Sequence, residues 1–263
     1  MYDFSYHTPS TVADAANAMS GAEDGKILAG GQTLLPTMKQ RLAAPSDVVS
    51  LRGCRDLVGI ASDGATVTIG AMTTHGAVAA SAEVKAAIPA LAALAGGIGD
   101  PQVRNRGTIG GSLANNDPAA DYPAAVLGLG ATVVTTKREL SAEEFFQGMF
   151  ETALEDDEII TAIRFPVPKS AAYMKFDNPA SRYALVGVFV AHTDGGVRVA
   201  VTGAGQDGVF RAGGIEEQIA SGQTPDSSSI DEGSLNADIH ASAAYRKHLI
   251  GVMAKRAAQA AAG

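Results

Sequence analysis

Two glycine pairs constrain this chain more than any other feature: Gly30-Gly31 in the run AGGQTLLP, and Gly110-Gly111 in RGTIGGSLANNDPAAD. Each stands where an apolar strand gives way to polar residues. Glycine has no Cβ, so its backbone reaches positive φ and can bring N–H groups against a ligand. Two such loops can clamp one pyrophosphate from two sides, which points to a large nucleotide cofactor. Either pair alone reads as a tight turn in a chain with 30 glycines; only the combination argues for a cradle. Neither loop reads GxGxxG, and neither is followed by the Lys-Ser/Thr of an NTPase phosphate loop, so neither of those scaffolds is supported.

The first loop, Leu28 to Leu34, follows the strand Lys26–Ala29 and leads into a helix over Thr33–Lys39. Backbone donors and the helix dipole favour an anion there. The second loop adds side chains. Thr108 and Ser112 offer hydroxyls, while Asn115, Asn116, Asp117 and Asp121 suit sugar hydroxyls. Asp117 and Asp121 also read as helix caps, and Asp121 as one that caps and binds at once.

At 263 residues and 46% hydrophobic content, the chain can bury a core and divides into two or three domains at ~100–200 residues each. A net charge of −8 without a dense basic cluster argues against a nucleic-acid partner. The longest apolar stretch, Ala86 to Gly99, is too short for a membrane span and contains Pro89. The N-terminal MYDFSYHTPS lacks a signal-peptide pattern, so the expected location is cytoplasmic. The single cysteine, Cys54, forms no internal disulfide and holds no four-cysteine iron–sulfur cluster. It reads as a packed thiol.

Apolar spacing gives a helix over Ser10–Met19 and a buried strand at Val48–Leu51, which complete a small α/β unit. A second unit starts with the strand Thr66–Ala71 and continues in a helix carrying Val84, Ile88, Leu91 and Ala95. Ala131–Thr136 and Ile159–Phe165 are two more strands, and Pro166-Val167-Pro168 marks a boundary near Lys169. Beyond it, Tyr183–Ala191 and Val197–Thr202 form a hairpin around Asp194-Gly195-Gly196. The Ser/Asp/Gly-rich segment Ser221–Ser234 reads as a mobile surface loop. Tyr245–Ala262 reads as an amphipathic helix with Arg246, Lys247, Lys255 and Arg256 on its polar side. The division is 1–57, 58–168 and 169–263.

These loops, in this order, resemble the FAD-binding subunit of the molybdenum-containing hydroxylases, nearest to the medium-subunit type of aerobic carbon monoxide dehydrogenase. The residues that carry the likeness are LAGGQTLLPTMKQRLAAPSDVVSLR from Leu28, IGAMTTH from Ile69, DPQVRNRGTIGGSLANNDPAADYPA from Asp100, EIITAIRFPVP from Glu158 and YRKHLIGVMAKRA from Tyr245. The resemblance implies an α+β protein: a vanillyl-alcohol-oxidase-like (PCMH-type) FAD-binding fold of two α/β subdomains, followed by a C-terminal α+β domain. It implies noncovalent FAD, with pyrophosphate contacts from Ala29, Gly30, Gly31, Gln32 and Thr33 and from Thr108, Ile109, Gly110, Gly111 and Ser112, and with Leu28 and Leu34 flanking the first loop as further cofactor-binding residues. Asn115, Asp117 and Asp121 belong to the same site, Asp121 serving the ribityl or pyrophosphate region. Ile98 and Ile160 would line the flavin pocket, and Lys175 and Tyr183 would face the isoalloxazine ring. Gln32 stands where relatives often have histidine, and Pro179-Ala180-Ser181-Arg182 replaces the Gly-Asp that often precedes the aromatic at Tyr183.

The implied assembly is a heterohexamer, a dimer of heterotrimers. A small subunit carries two [2Fe–2S] clusters and a large subunit carries the molybdenum cofactor. This chain would pass electrons from the clusters through FAD to an external acceptor. Carbon monoxide is the favoured substrate of the complex, with aldehydes, purines and N-heterocycles as alternatives. No Ser/His/Asp or Cys/His set and no metal-ligand spacing is present, and His7, His75, His192, His240 and His248 read as ordinary polar residues. The acidic run Glu155–Glu158 reads as solvated surface, and Gly203, Gly205 and Gly208 as turn glycines. Two rival readings stand beside this one. A stand-alone FAD oxidase would need catalytic side chains that are not apparent, and a flavin-free scaffold would not need both glycine pairs.

Overall fold

The computed structural model describes residues 1–263. Val48 and Val49 lie on the middle strand, Asp47–Ser50, of a three-stranded parallel sheet, between Ser5–His7 and Gly25–Leu28. Parallel neighbours need crossovers. Helix Val12–Ser20, capped by Thr11, supplies one, and Leu34–Lys39 lies in the other. Beneath the sheet Ala15, Val49, Leu51, Cys54, Leu57 and Ile159 form a small core. Cys54 is a packed thiol there, and burial pushes its pKa up.

The next sheet is antiparallel, in the order Ile60–Ser62, Thr66–Gly70, Ile160–Pro166, Thr132–Thr135 and Glu139–Ser141. Helices from His75 to Leu129 cover it around a core of 30 buried residues. The single helix expected across Val84, Ile88, Leu91 and Ala95 is two, Ala82–Ala87 and Pro89–Gly96, with Ile88 extended between them at φ −139°. Pro89 has no N–H to continue a helix and bars the residue before it from helical geometry. All four apolar residues are nevertheless buried.

A four-stranded antiparallel sheet follows: Ser170–Asp177, Ala184–Thr193, Gly196–Gly205 and Gly208–Arg211. The hairpin at Asp194-Gly195 is as expected, with Thr193 opposite Gly196. Helix Ala243–Ala261 covers one face of this sheet, while Phe189, Ala191 and Ala200 on the other join the core of the preceding unit. A strand covered on both faces reads as an unbroken apolar run, which is why ALVGVFVA does not alternate.

Two expectations fail here. Arg246 is not on the polar side of the last helix; it is 3% exposed and points into the sheet. Its Nη1 donates to the carbonyls of Leu185 and Gly203, both at 2.7 Å, and its Nη2 pairs with Asp238 at 2.7 Å. The ladder slips between Val201 and Gly205, where Gly203 has φ +82°, and Arg246 satisfies carbonyls that the sheet does not. The segment Ser221–Ser234 is tied down rather than free. Gln218 bonds Asp226 through both ends of its amide, and Ile230 enters the core. No helix is long and apolar enough to cross a membrane.

Candidate functional site

Strand Gly25–Leu28 runs directly into the first glycine loop, and the second loop lies against it. A Cβ on Gly30 would sit 2.2 Å from the Arg106 carbonyl oxygen and 2.8 Å from the Gly107 Cα. One on Gly111 would come 3.3 Å from the Ala29 Cβ, and one on Gly110 would lie 2.6 Å from the Ala71 Cβ. The glycines therefore let two stretches of backbone touch. Only Gly31, at φ +74°, needs glycine for its conformation.

The loops differ in what they leave free. In the second, Ile109 N–H donates to the Thr73 carbonyl (3.1 Å), Gly110 N–H to the Ala71 carbonyl (2.8 Å), Gly111 N–H to Thr108 Oγ1 (3.2 Å) and Ser112 N–H to the Thr108 carbonyl (3.0 Å). These donors open helix Ile109–Asn115 and are used up by it and by its neighbours. In the first, the N–H groups of Gly30, Gly31, Gln32 and Thr33 meet no acceptor in the protein, and no side chain caps the helix that follows. Successive unpaired N–H groups around a left-handed residue form an anion nest.

Between the loops opens a cleft of about 760 Å³, within the usual size of a cofactor site. Ala29, Gly30, Gly31, Gln32, Thr33 and Leu34 line one wall; Thr108, Gly110, Gly111, Ser112, Asn115, Asp117 and Asp121 line the facing one. Ile98 and Ile160 add apolar surface, and Tyr183, 47% exposed, stands at the mouth. Leu28, Ile109 and Lys175 do not reach the cleft surface: Leu28 ends its strand and Ile109 is wholly buried in the core. Asn116 is also turned away. At φ +41° it ends its helix, and its amide donates to the carbonyls of Gly148 and Glu151 at 2.8 and 2.9 Å. Few cations line the cleft, so the donors it offers an anion are mainly main-chain N–H groups.

Asp121 is 4% exposed and makes no cap bond, contrary to the capping expectation. Tyr173 Oη donates to its Oδ1 at 2.6 Å, and Lys175 Nζ lies 3.1 and 3.2 Å from its two oxygens. Burial pushes the carboxyl up, against the pull of Lys175 and Tyr173. Lys175, expected over the flavin ring, is instead spent on this pair, on Asp177 (3.1 Å) and on the carbonyls of Gly97 and Arg182 (both 3.0 Å). It tethers the cleft wall to the turn that carries Tyr183.

Three residues that sequence reasoning passed over stand at or behind the cleft. His75 is 5% exposed, its ring 5.3 Å from that of Tyr122, and both His75 Nδ1 and Tyr122 Oη are buried without a partner. Burial, aided by the Arg104 charge, lowers the His75 pKa to about 4, so it is neutral. Its only sequence signal is its position in IGAMTTH. Glu158, expected on a solvated surface, is 5% exposed. Burial pushes its carboxyl up, but bonds from Arg138, Thr135 and the Glu155 N–H outweigh that and hold it below the ordinary range. No group of three His, Cys, Asp or Glu side chains is placed to hold a metal ion.

Residues 2–168 match the family described as the FAD binding domain in molybdopterin dehydrogenase. The chain is 37% identical to the carbon monoxide dehydrogenase medium chain of Afipia carboxidovorans, over 98% of this chain and 96% of that protein. It is 36% identical to the nicotine 6-hydroxylase medium subunit of Paenarthrobacter nicotinovorans, over 95% and 94%. Its fold superimposes on a chain of the carbon monoxide dehydrogenase of Hydrogenophaga pseudoflava with a TM-score of 0.88 at 34% identity, covering 98% of this chain and 96% of that one.

Proposed function

The chain belongs to the family of FAD-binding domains of molybdopterin dehydrogenases, and from that premise we propose that it is the electron-transfer subunit of a molybdenum hydroxylase. It receives electrons from [2Fe–2S] clusters on a small partner subunit and passes them through noncovalent FAD to an external acceptor. A large partner carries the molybdenum cofactor, and the whole is a dimer of heterotrimers. The observation that carries this reading is the run of unpaired N–H groups at Gly30–Thr33 across the cleft from Ser112 and Asn115. A pyrophosphate needs such a nest where few side-chain cations are at hand.

When bound, FAD supplies a group that takes up and releases electrons one or two at a time. The chain's own residues hold it. Gly30 to Thr33 donate to the pyrophosphate, and the Ser112 hydroxyl and Asn115 amide serve the same region from the opposite wall. Asp117 and Asp121 face the sugar alcohol, Asp121 kept in place by Tyr173 and Lys175. Ile98 and Ile160 exclude water from the ring's site, and Tyr183 covers its mouth. No residue acts on the complex's substrate as acid or base, in keeping with a pathway for electrons alone. A carbon monoxide dehydrogenase and a nicotine hydroxylase subunit are almost equally similar to the chain, so carbon monoxide is proposed as substrate only on the slightly greater identity.

The test is to purify the native assembly through a tag on this chain, identify the heat-released cofactor by chromatography, and assay molybdenum, iron and co-purifying polypeptides. FAD with two partner chains, iron and molybdenum is the expected result. FAD on the tagged chain alone, with turnover of a substrate by that chain, would replace this reading with a stand-alone oxidase.

A further inference from the structure

Beside the cofactor cleft lies a second concavity of about 370 Å³, walled by glycine backbone, Pro179 and polar groups. Gly99 and Arg182 border both spaces, so the two adjoin there. Arg104 and Arg182 are its basic residues. Arg104 Nη1 donates to the carbonyls of Ile98 and Gly99 at 3.0 and 2.9 Å, and Arg182 Nη1 reaches the same Gly99 carbonyl at 3.4 Å. Neither guanidinium is paired with a carboxylate. Asp177, the acid on this wall, shares Lys175 (3.1 Å) with Asp121 and is half exposed to solvent.

The backbone is arranged to hold Arg182 there. Arg182 sits in the left-handed region at φ +61°, a conformation that a long side chain adopts only when its surroundings impose it. Its N–H donates to the Asn178 carbonyl (2.8 Å), and Lys175 Nζ binds its own carbonyl (3.0 Å). Asn178 Oδ1 also accepts from Ala180 and Ser181 N–H. The tight turn thus offers Tyr183 to the cofactor cleft and Arg182 to the border between the two spaces. Strain of this kind gathers where a ligand is handled.

We propose that this concavity seats the external electron acceptor, and that the acceptor carries a phosphate or carboxylate group. Two guanidinium groups anchored on one carbonyl each keep N–H donors that no carboxylate occupies, and guanidinium donors suit an oxyanion. The acceptor's reducible part then lies past Gly99, at the mouth of the cofactor cleft. Two electrons leave the reduced cofactor for each two-electron acceptor consumed, and the cofactor's protons pass to the acceptor or to solvent. This proposal rests on the flavin reading given above.

The test uses the native assembly, reduced anaerobically and then re-oxidised in a stopped-flow instrument. The oxidants are a benzoquinone bearing a propionic acid side chain and its methyl ester. The acid is expected to re-oxidise the flavin faster than the ester at low salt, and inorganic pyrophosphate should remove that advantage without slowing the ester. In Arg182→Gln the acid's rate constant should fall roughly tenfold, with the ester's unchanged and Arg182→Lys largely restoring it. Equal rates for acid and ester in the unmodified enzyme, or equal slowing of both by pyrophosphate, would overturn the proposal even if the variants fail to fold. A preparation without FAD would instead defeat the flavin reading before any oxidant is added.

Discussion

Replacing Gly30 with alanine adds one methyl group at the point where the two loops touch. The new Cβ would lie 2.2 Å from the Arg106 carbonyl oxygen and 2.8 Å from the Gly107 Cα, whereas ordinary contact begins at 3.4 Å. The loops must part by more than 1 Å, and because the obstacle is backbone, no change of rotamer relieves it. Gly30 does not have positive φ, so the penalty is contact and not backbone strain. Overpacking of this kind costs about 1–3 kcal/mol. If FAD requires the loops closed, its affinity falls by the same free energy, about 5- to 150-fold. The assay is a flavin-fluorescence titration of the deflavinated protein. Gly213→Ala is the control, since nothing lies within 4 Å of the methyl group it adds. FAD binding by Gly30→Ala within twofold of the unmodified protein would refute the argument that loop contact sets the cradle.

Three further outcomes follow from side chains the structure buries. His75 has a folded pKa of about 4 against an ordinary 6.5, so the unfolded chain binds the extra proton between those values. Its contribution to stability is therefore intact above pH 6.5 and is lost as pH falls toward 4, by at most about 3 kcal/mol; His75→Asn should flatten the fall of Tm over that window, and an unchanged profile would show that His75 is not its source. Arg246→Met should destabilise the protein by about 3 kcal/mol in denaturant titrations, because it leaves the Leu185 and Gly203 carbonyls buried without their donor, while Lys255→Ala on the exposed side changes stability by less than about 0.5 kcal/mol. Lys175→Met should leave Asp121 buried without its cation and release the Arg182 carbonyl, with a stability loss of several kcal/mol that Lys175→Arg partly restores. Equal stability of Lys175→Met and the parent would mean that the tether carries no load.

The strands and the glycine cradle were legible because their causes are local. Val48-Val49, ALVGVFVA and the two Gly-Gly loops each state their structure within a few residues, and the family likeness then supplied the order in which they assemble. What was not legible depends on neighbours distant in sequence. Arg246 looks like one more surface charge in its helix until the slipped ladder at Gly203 presents carbonyls to it. Glu158 looks solvated until Arg138 and Thr135 close over it. Lys175 resembles a cation over the flavin, yet Tyr173 and Lys175 share one face of their strand at alternate positions and both turn to Asp121. That alternation was a readable signal. Gly187 completes it, since a Cβ there would lie 2.3 Å from the Tyr173 hydroxyl, but nothing local to Gly187 says so. The glycine pairs were legible as loops that face each other, and incompletely legible as a cause. A positive φ explains Gly31, whereas Gly30 and Gly110 are demanded by the close approach of the chain to itself.

Unpaired N–H groups at Gly30–Thr33 are proposed to hold the pyrophosphate of one FAD per chain. Quantifying flavin per polypeptide in the purified, FAD-reconstituted protein tests this directly, with the flavin then released by heat and identified by chromatography. One FAD for each chain, fully released without proteolysis, is the expected result. Absence of flavin after reconstitution, or flavin that stays attached to the denatured chain, would contradict it.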